Sequence, residues 1–428
     1  MRKGQLVFII VCLAMLTGCG NKNNNTSRQD TTITLQANKS VCNDILVSCY
    51  EEEGLYEVCY YDYENNEEVF ACGQASCNHK IAEYKAGEIS CNAIIEKEIT
   101  YPFLNNDKLY YFISGGGECE LWESKTDGTD KICILKLDFE IDSNGTYVLH
   151  DNRIYVASRK ENYREYDVNK SELSGVESEV YEINLDDNSF EQISSFGEKA
   201  DANCTNIYYF DNKLFIRYNS RGKRYDETEF KNIDGYLVWM ESDDFSYKKQ
   251  IEVLDEQTKY YTYDFESKQM NVFDIDFESN FEPYKGIKNK DGSFYLLYFS
   301  GDTAYYLDPV VGKYNIYSYN IKTKERKLII SCFKMVQLYC DGKIYVTSME
   351  MDEATKDELL PSVDFTKEPK YYVYDIGTDK MTCDTYGDKG KIYYPVDVNE
   401  KGLLTYEVEF NESHDFIDEH KLKQFETK

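Results

Sequence analysis

Proline and tryptophan are nearly absent, with 6 and 2 copies among 428 residues, and alanine is scarce. So little proline excludes a collagen-like or polyproline chain. Scarce alanine removes the best helix former. Basic charge is also short: 48 Lys and Arg stand against 78 Asp and Glu, for a formal net charge of −30. A surface this acidic repels phosphate backbones, which argues against nucleic acid as a partner. After the first 18 residues no apolar run approaches the roughly 20 residues that span a bilayer. Also missing are a Gly-x-Ser-x-Gly elbow, a His-Glu-x-x-His pair and a phosphate-cradling glycine loop. No reaction can be read from motifs.

What is present begins at the N-terminus, MRKGQLVFIIVCLAMLTGCG. Arg2 and Lys3 precede an uncharged apolar run from Leu6 to Leu16, and Leu16-Thr17-Gly18-Cys19 matches the bacterial lipobox. The run suits a signal peptide and is too short for a membrane span. The Cys19 thiol is the nucleophile that would accept a diacylglycerol. Two acyl chains, at about 0.8 kcal/mol per buried methylene, give stable anchoring. An asparagine-rich stretch with little to bury follows, as a flexible tether should. The expected organisation is a lipoprotein signal peptide over 1–18, lipidated Cys19 with its tether over 19–37, one domain over 38–412 and a polar tail over 413–428. The expected place is the extracytoplasmic face of the cell membrane. Abundant Asn, Lys, Ile and Tyr suggest an AT-rich genome of the low-GC Gram-positive kind.

The chain carries 40 Tyr and 22 Phe, which favour pleated, half-buried strands. One phrase recurs, a turn pair followed by alternating apolar residues: NDKLYYF (106–112), DNRIYVA (151–157), DNKLFIR (211–217), DGSFYLL (291–297) and DGKIYVT (341–347), with a looser EKGLLTYEV (400–408). Asp-Asn and Asp-Gly pairs tolerate positive φ and close tight hairpins. A second hairpin phrase, aromatic and then polar, follows most copies, as in YYDYENNEEVFAC (60–72) and IYSYNIKTKERKLII (316–330). Two hairpins per unit make four-stranded blades, and radial repetition of such units is a β-propeller. The expectation is an all-β propeller of six blades, or seven if 235–254 forms its own. The last anchor near Gly402 would join the first hairpin near Tyr60, so that strands from both chain ends share a sheet and close the ring.

Fourteen cysteines are present. Cys42, Cys49, Cys59, Cys119, Cys133, Cys204, Cys332, Cys340 and Cys383 fall on expected strands, where cysteine packs as a small apolar residue. Cys332 with Cys340, or Cys119 with Cys133, are candidates to face each other across a hairpin. Three others stand apart, in Cys72-x4-Cys77-x-His79-x11-Cys91, inside a polar loop. Three thiolates and an imidazole suit tetrahedral zinc or ferrous iron. A disulfide from Cys72 or Cys77 to Cys91, or a set of free thiols, also fits the spacing, and His79 is what keeps a metal in contention, since a disulfide needs no histidine. The remaining histidines, His150, His414 and His420, read as solvated surface residues.

The run VFACGQASCNHK…SCNAII, ahead of NDKLYYF, resembles envelope lipoproteins of Clostridia-type Gram-positive bacteria, which carry a similar Cys…Cys-x-His…Cys-Asn-Ala segment before a propeller strand. The hairpin LWESKTDGTDKICIL is similar to those of a propeller family of unknown function and of Tol-type periplasmic propellers. The resemblance implies a fold and a location, and it assigns no reaction. The function expected is therefore a non-catalytic binding or protein-interaction module of the cell envelope, with an envelope protein or glycan as partner. The alternative is an envelope hydrolase acting on polysaccharide or peptide. Acidic residues are so frequent that no catalytic pair can be selected.

Overall fold

A computed structural model describes residues 32–425, apart from 274–294, 351–363, 386–390, 411–415 and a few one- or two-residue loop positions. The leader and Cys19 lie outside the described residues.

Strand follows strand in antiparallel meanders. The chain enters through β1 (Thr32–Gln36). The first meander is β2 (Lys39–Cys42), β3 (Ile45–Glu52), β4 (Leu55–Asp62) and β5 (Glu67–Phe70), and the two-residue β6 (Ile94–Ile95) also pairs with β4. The second is β7 (Ile99–Asn105), β8 (Lys108–Gly115), β9 (Glu118–Lys125) and β10 (Ile132–Leu137). The third is β11 (Tyr147–His150), β12 (Arg153–Asp167), β13 (Lys170–Asn184) and β14 (Ser189–Lys199). The fourth is β15 (Asp201–Phe210), β16 (Lys213–Arg221), β17 (Glu256–Asp264) and β18 (Gln269–Phe273). The fifth and sixth share one long strand: β19 (Tyr295–Ser300), β20 (Thr303–Val310), β21 (Lys313–Asn320) and β22 (Arg326–Cys340) lead into β23 (Lys343–Met349), β24 (Lys370–Asp375) and β25 (Lys380–Thr385). The last is β26 (Lys391–Asn399), β27 (Gly402–Phe410) and β28 (Phe416–Phe425). Successive antiparallel meanders, most of four strands, make this an all-β propeller.

The turn pairs do what their chemistry predicts. Asn106 and Asp107 (φ 50° and 60°), Asp151 and Asn152 (48° and 60°), and Asp211 and Asn212 (51° and 57°) close hairpins with positive φ at both residues. Asp291 and Asp341 lie outside the described residues. In the fifth meander the tight turn between the first two strands is Gly301–Asp302, ten residues beyond the expected anchor.

Several expectations on architecture need correcting. Among the described residues the C-terminal strands pair only with one another, and no ladder joins Gly402 to Tyr60. The first meander already has four strands of its own, with Cys42 at the end of β2 paired to Ile45 at the start of β3. The two ends meet through side chains instead. Leu46 and Tyr61 of the first meander pack with Tyr394, Val396, Leu404 and Tyr406 of the last. Among the described residues, 235–254 form no blade: two short helices lie there, inserted between β16 and β17. With the first and last meanders separate, seven meanders can be traced among the described residues, none of them using 235–254.

That insertion follows from its spacing. Tyr236, Trp239 and Met240 recur at helical intervals, and the Asn232 side chain accepts the Gly235 N–H at 2.8 Å. After the single-turn α1 (Ile81–Lys85), the helices α2 (Ile233–Met240) and α3 (Tyr247–Leu254) bury Tyr236 and Leu254 against Phe230 in a small core of their own.

Both ends of the expected domain also shift. Thr32–Gln36, expected as tether, is a strand pairing with β2 on one side and β11 on the other. It therefore ties the first meander to the third. Phe416–Phe425, expected as tail, pairs with β27. His150 is not solvated: it is 8% exposed, stacks on Tyr209 at 3.8 Å, and its Nδ1 lies 2.9 Å from the Thr32 hydroxyl. His414 lies outside the described residues and His420 falls on β28. Cys332 and Cys340 occupy the same strand, β22, so they cannot oppose each other across a hairpin. Cys119 faces Leu137 and Cys133 faces Trp122, which separates that pair as well. Cys42, Cys49, Cys59, Cys119, Cys204 and Cys332 are buried, Cys133 is half-buried, and Cys383 is exposed.

Candidate metal centre

The outer edge of β4 is used twice. β5 pairs along one part of it, Cys59 opposite Phe70, and β6 along the other, Glu57 opposite Ile94. Val58 sits between and holds both ends of the intervening loop. The Ala71 N–H donates to the Val58 carbonyl at 2.9 Å, and the Val58 N–H donates to the Ala93 carbonyl at 3.0 Å. Cys72 and Cys91, at the two ends of a long loop, are thereby brought together by ordinary sheet hydrogen bonds. Loop-closure entropy is met by the blade and not by the ligands.

Within the loop, Gln74 and Cys77 form a turn, the Cys77 N–H donating to the Gln74 carbonyl at 3.0 Å. The Gln74 side chain then ties the two limbs: its amide donates to Asn92 Oδ1 at 3.3 Å, and Ser90 Oγ donates to its carbonyl at 3.2 Å. His79 adopts φ 57° and stacks its ring on Phe70 at 4.4 Å, nearly parallel. This turns Nδ1 to within 3.3 Å of Cys91 Sγ. Ile81 of α1, 4% exposed, pins the far limb to the core.

The four expected residues converge. One donor atom from each of Cys72, Cys77, His79 and Cys91 lies within 4.8 Å of all the others. A tetrahedron with Zn–S near 2.3 Å has edges of about 3.8 Å, so the donors need to close in by about 1 Å at most. The three cysteines are free thiols. Cys91 is 6% exposed, and burial, with the neighbouring Cys77 and Cys72, pushes its thiol up to about 12. Burial also pushes Cys72 upward, but hydrogen bonds from the Gln74 and Asn92 backbone and from the Cys91 and Cys77 thiols outweigh it and leave that thiol below its ordinary value. Burial lowers His79, which favours the neutral imidazole that a metal ligand must be. The donor set is soft sulfur with one nitrogen, suited to zinc or ferrous iron, and all four tetrahedral positions are filled by protein.

Sequence reading missed the groups around this centre. Phe70 reads only as a strand residue, and SKTDGT (124–129), inside the hairpin LWESKTDGTDKICIL, only as a turn. That turn belongs to the second meander and packs on the loop: the Gly73 N–H donates to the Asp127 carbonyl at 3.3 Å, and Tyr60 Oη donates to the Thr126 carbonyl at 2.8 Å. No local signal announces such contacts.

Beside Val58, Glu57 is 8% exposed. Burial, reinforced by Glu52, pushes its carboxyl up to about 7. The sign follows from linkage. Between the unfolded value near 4.5 and about 7 the native state keeps a proton that the unfolded chain has lost, so stability falls as pH rises through that window. Glu57→Gln, which cannot ionise, is expected to gain about 1–3 kcal/mol over the natural chain at pH 8 and nothing at pH 4. Denaturant midpoints at the two pH values measure it, and equal midpoints at pH 8 would refute it.

No family model matches this chain, and no curated protein matches it. Similarity to solved structures is present at low identity. The acylaminoacyl peptidase of Pyrococcus horikoshii is 12% identical over 88% of this chain and 48% of its own, with a TM-score of 0.45. The β-propeller domain of the trilobed protease from Pyrococcus furiosus is 10% identical over 91% of this chain and 94% of its own, TM-score 0.43. TolB from Acinetobacter baumannii is 11% identical over 89% and 81%, TM-score 0.32. The chain spans about half the length of the acylaminoacyl peptidases it matches. Among the described residues no helix is long and apolar enough to cross a membrane.

Proposed function

We propose that this chain is a lipid-anchored propeller on the outer face of a Gram-positive cell membrane, acting as a non-catalytic binding module whose first blade is held by a structural metal. The observation that carries the reading is the closed Cys72–Cys77–His79–Cys91 set. A catalytic zinc keeps one coordination position open for water or substrate, whereas four protein ligands leave none. When bound, the metal would cross-link the loop; it supplies no reactive water. The chain's own residues do the rest: Val58 sets the loop ends, Phe70 orients the His79 ring, and Gln74 ties the limbs. Anchoring is supported by the lipobox at Cys19, and a partner of protein or glycan type by the acidic, tyrosine-rich composition.

The test uses the full-length chain expressed in a low-GC Gram-positive host. The expected result is one zinc or iron per chain, incorporation of a labelled fatty acid, and loss of both label and membrane association on Cys19→Ala. Purified protein is then offered envelope polysaccharides and peptides. Turnover that vanishes on metal removal would overturn the non-catalytic reading in favour of a hydrolase. A natural chain that takes up no label would overturn the anchored one.

A further inference from the structure

A divalent ion held by three thiolates and a neutral imidazole carries a net charge of −1, and a half-buried centre of that kind needs a cation close by. Among the described residues the cysteine loop itself does not provide one. Lys80 is paired with Glu83 at 3.3 Å, and Lys85 with Glu53 at 2.8 Å. The second blade does. Its turn between β9 and β10 lies across the loop, with Gly128 (φ 71°) so close that an added Cβ would stand 2.4 Å from the Ala71 carbonyl and 2.6 Å from that of Asn92. Those are the residues next to Cys72 and Cys91. Just beyond the turn, Lys131 donates from Nζ to the Ile94 carbonyl at 3.2 Å. Among the described residues it has no carboxylate partner, although the chain holds 78 acidic side chains. Burial holds its ammonium below the ordinary lysine value, and the Cys91 and Cys72 thiolates act against that.

We infer that Lys131 is the positioning residue that balances the charge of the metal centre, so that the second blade completes a site whose ligands all come from the first. The inference rests on the reading that the cluster binds a divalent metal. It makes metal affinity depend on the seam between two blades: Gly128 brings the turn down onto the loop ends, and Lys131 is held at the Ile94 carbonyl, three residues beyond Cys91.

The experiment strips metal from the full chain and titrates zinc back against a chromogenic chelator, comparing the natural protein with Lys131→Met and Lys131→Arg. Lys131→Met is expected to weaken zinc binding by about 10–100-fold, the range for groups just outside a metal's ligands. Lys131→Arg, which keeps the charge, should restore binding to within about threefold of the natural protein. The metal-free Lys131→Met protein should melt as the natural one does, and its cobalt(II) form should keep the tetrahedral thiolate absorption, because no ligand has changed. Natural affinity in Lys131→Met, or an equal loss in Lys131→Arg, would overturn the inference alone. A natural protein that binds no zinc would instead remove the metal reading, and this inference with it.

Discussion

Replacing Cys91 with serine is expected to lower zinc affinity by at least about 100-fold and to make thermal unfolding insensitive to chelator. Cys91 is the most buried of the three thiols and the one whose sulfur approaches the His79 ring, at 3.3 Å. A hydroxyl keeps its proton where a thiol gives it up to a metal, so serine leaves three ligands around the ion. A ligand that binds only the folded state stabilises by about 4 kcal/mol when present at a thousandfold excess over its dissociation constant. The natural chain should therefore melt several degrees lower in chelator, and Cys91→Ser should melt at that lower temperature with or without it. A natural protein whose melting drops with reductant, and not with chelator, would mean that Cys91 is held in a disulfide. That outcome would remove the metal reading.

Tyr101→Ala should be the most damaging single change in the core, costing about 3–5 kcal/mol. A bulge between Thr100 and Phe103 and a φ of 53° turn Tyr101 away from the alternation of its strand. Its backbone N–H donates to the Ala37 carbonyl, in the turn between β1 and β2, at 2.8 Å. Its hydroxyl, fully buried, is directed at the Asp142 and Gly145 carbonyls, at 2.7 and 3.0 Å. The ring leans on Tyr147, whose hydroxyl donates to the same Asp142 carbonyl at 2.8 Å. One residue thus joins the entry hairpin, through its backbone, to the second blade and the third, through its side chain. Tyr101→Phe keeps the ring and removes only the hydroxyl, so about 1–3 kcal/mol should be lost. Guanidinium unfolding followed by tyrosine fluorescence would measure both. If the two variants lost the same amount, the ring would contribute nothing and this account of the hub would fail.

Legibility along the chain tracked the range of the interactions involved. Asn106–Asp107, Asp151–Asn152 and Asp211–Asn212 were readable because a turn pair needs only its own two residues to take positive φ. The metal candidate was readable because three of its four donors lie within eight residues, and their types suit only a few chemistries. The stretch 235–254 was misread because a short apolar run suits strand and helix alike until its period is counted. His150 was misread because a histidine has no local signature of burial: its partners, Thr32 and Tyr209, are far away in sequence.

By itself, then, the sequence determined the class of fold, the hairpin turns and the four donors, since alternation, turn chemistry and ligand type are properties of neighbouring residues. Only the tertiary structure decided that β1 joins the first meander to the third, that side chains of the first and last meanders pack together, and that Lys131 and Gly128 stand over the cysteine loop. The physical reason is that strand ladders and side-chain seams between blades depend on which surfaces the whole ring brings together. A backbone edge accepts any strand of matching direction, so nothing in β1 alone names β11 as its partner.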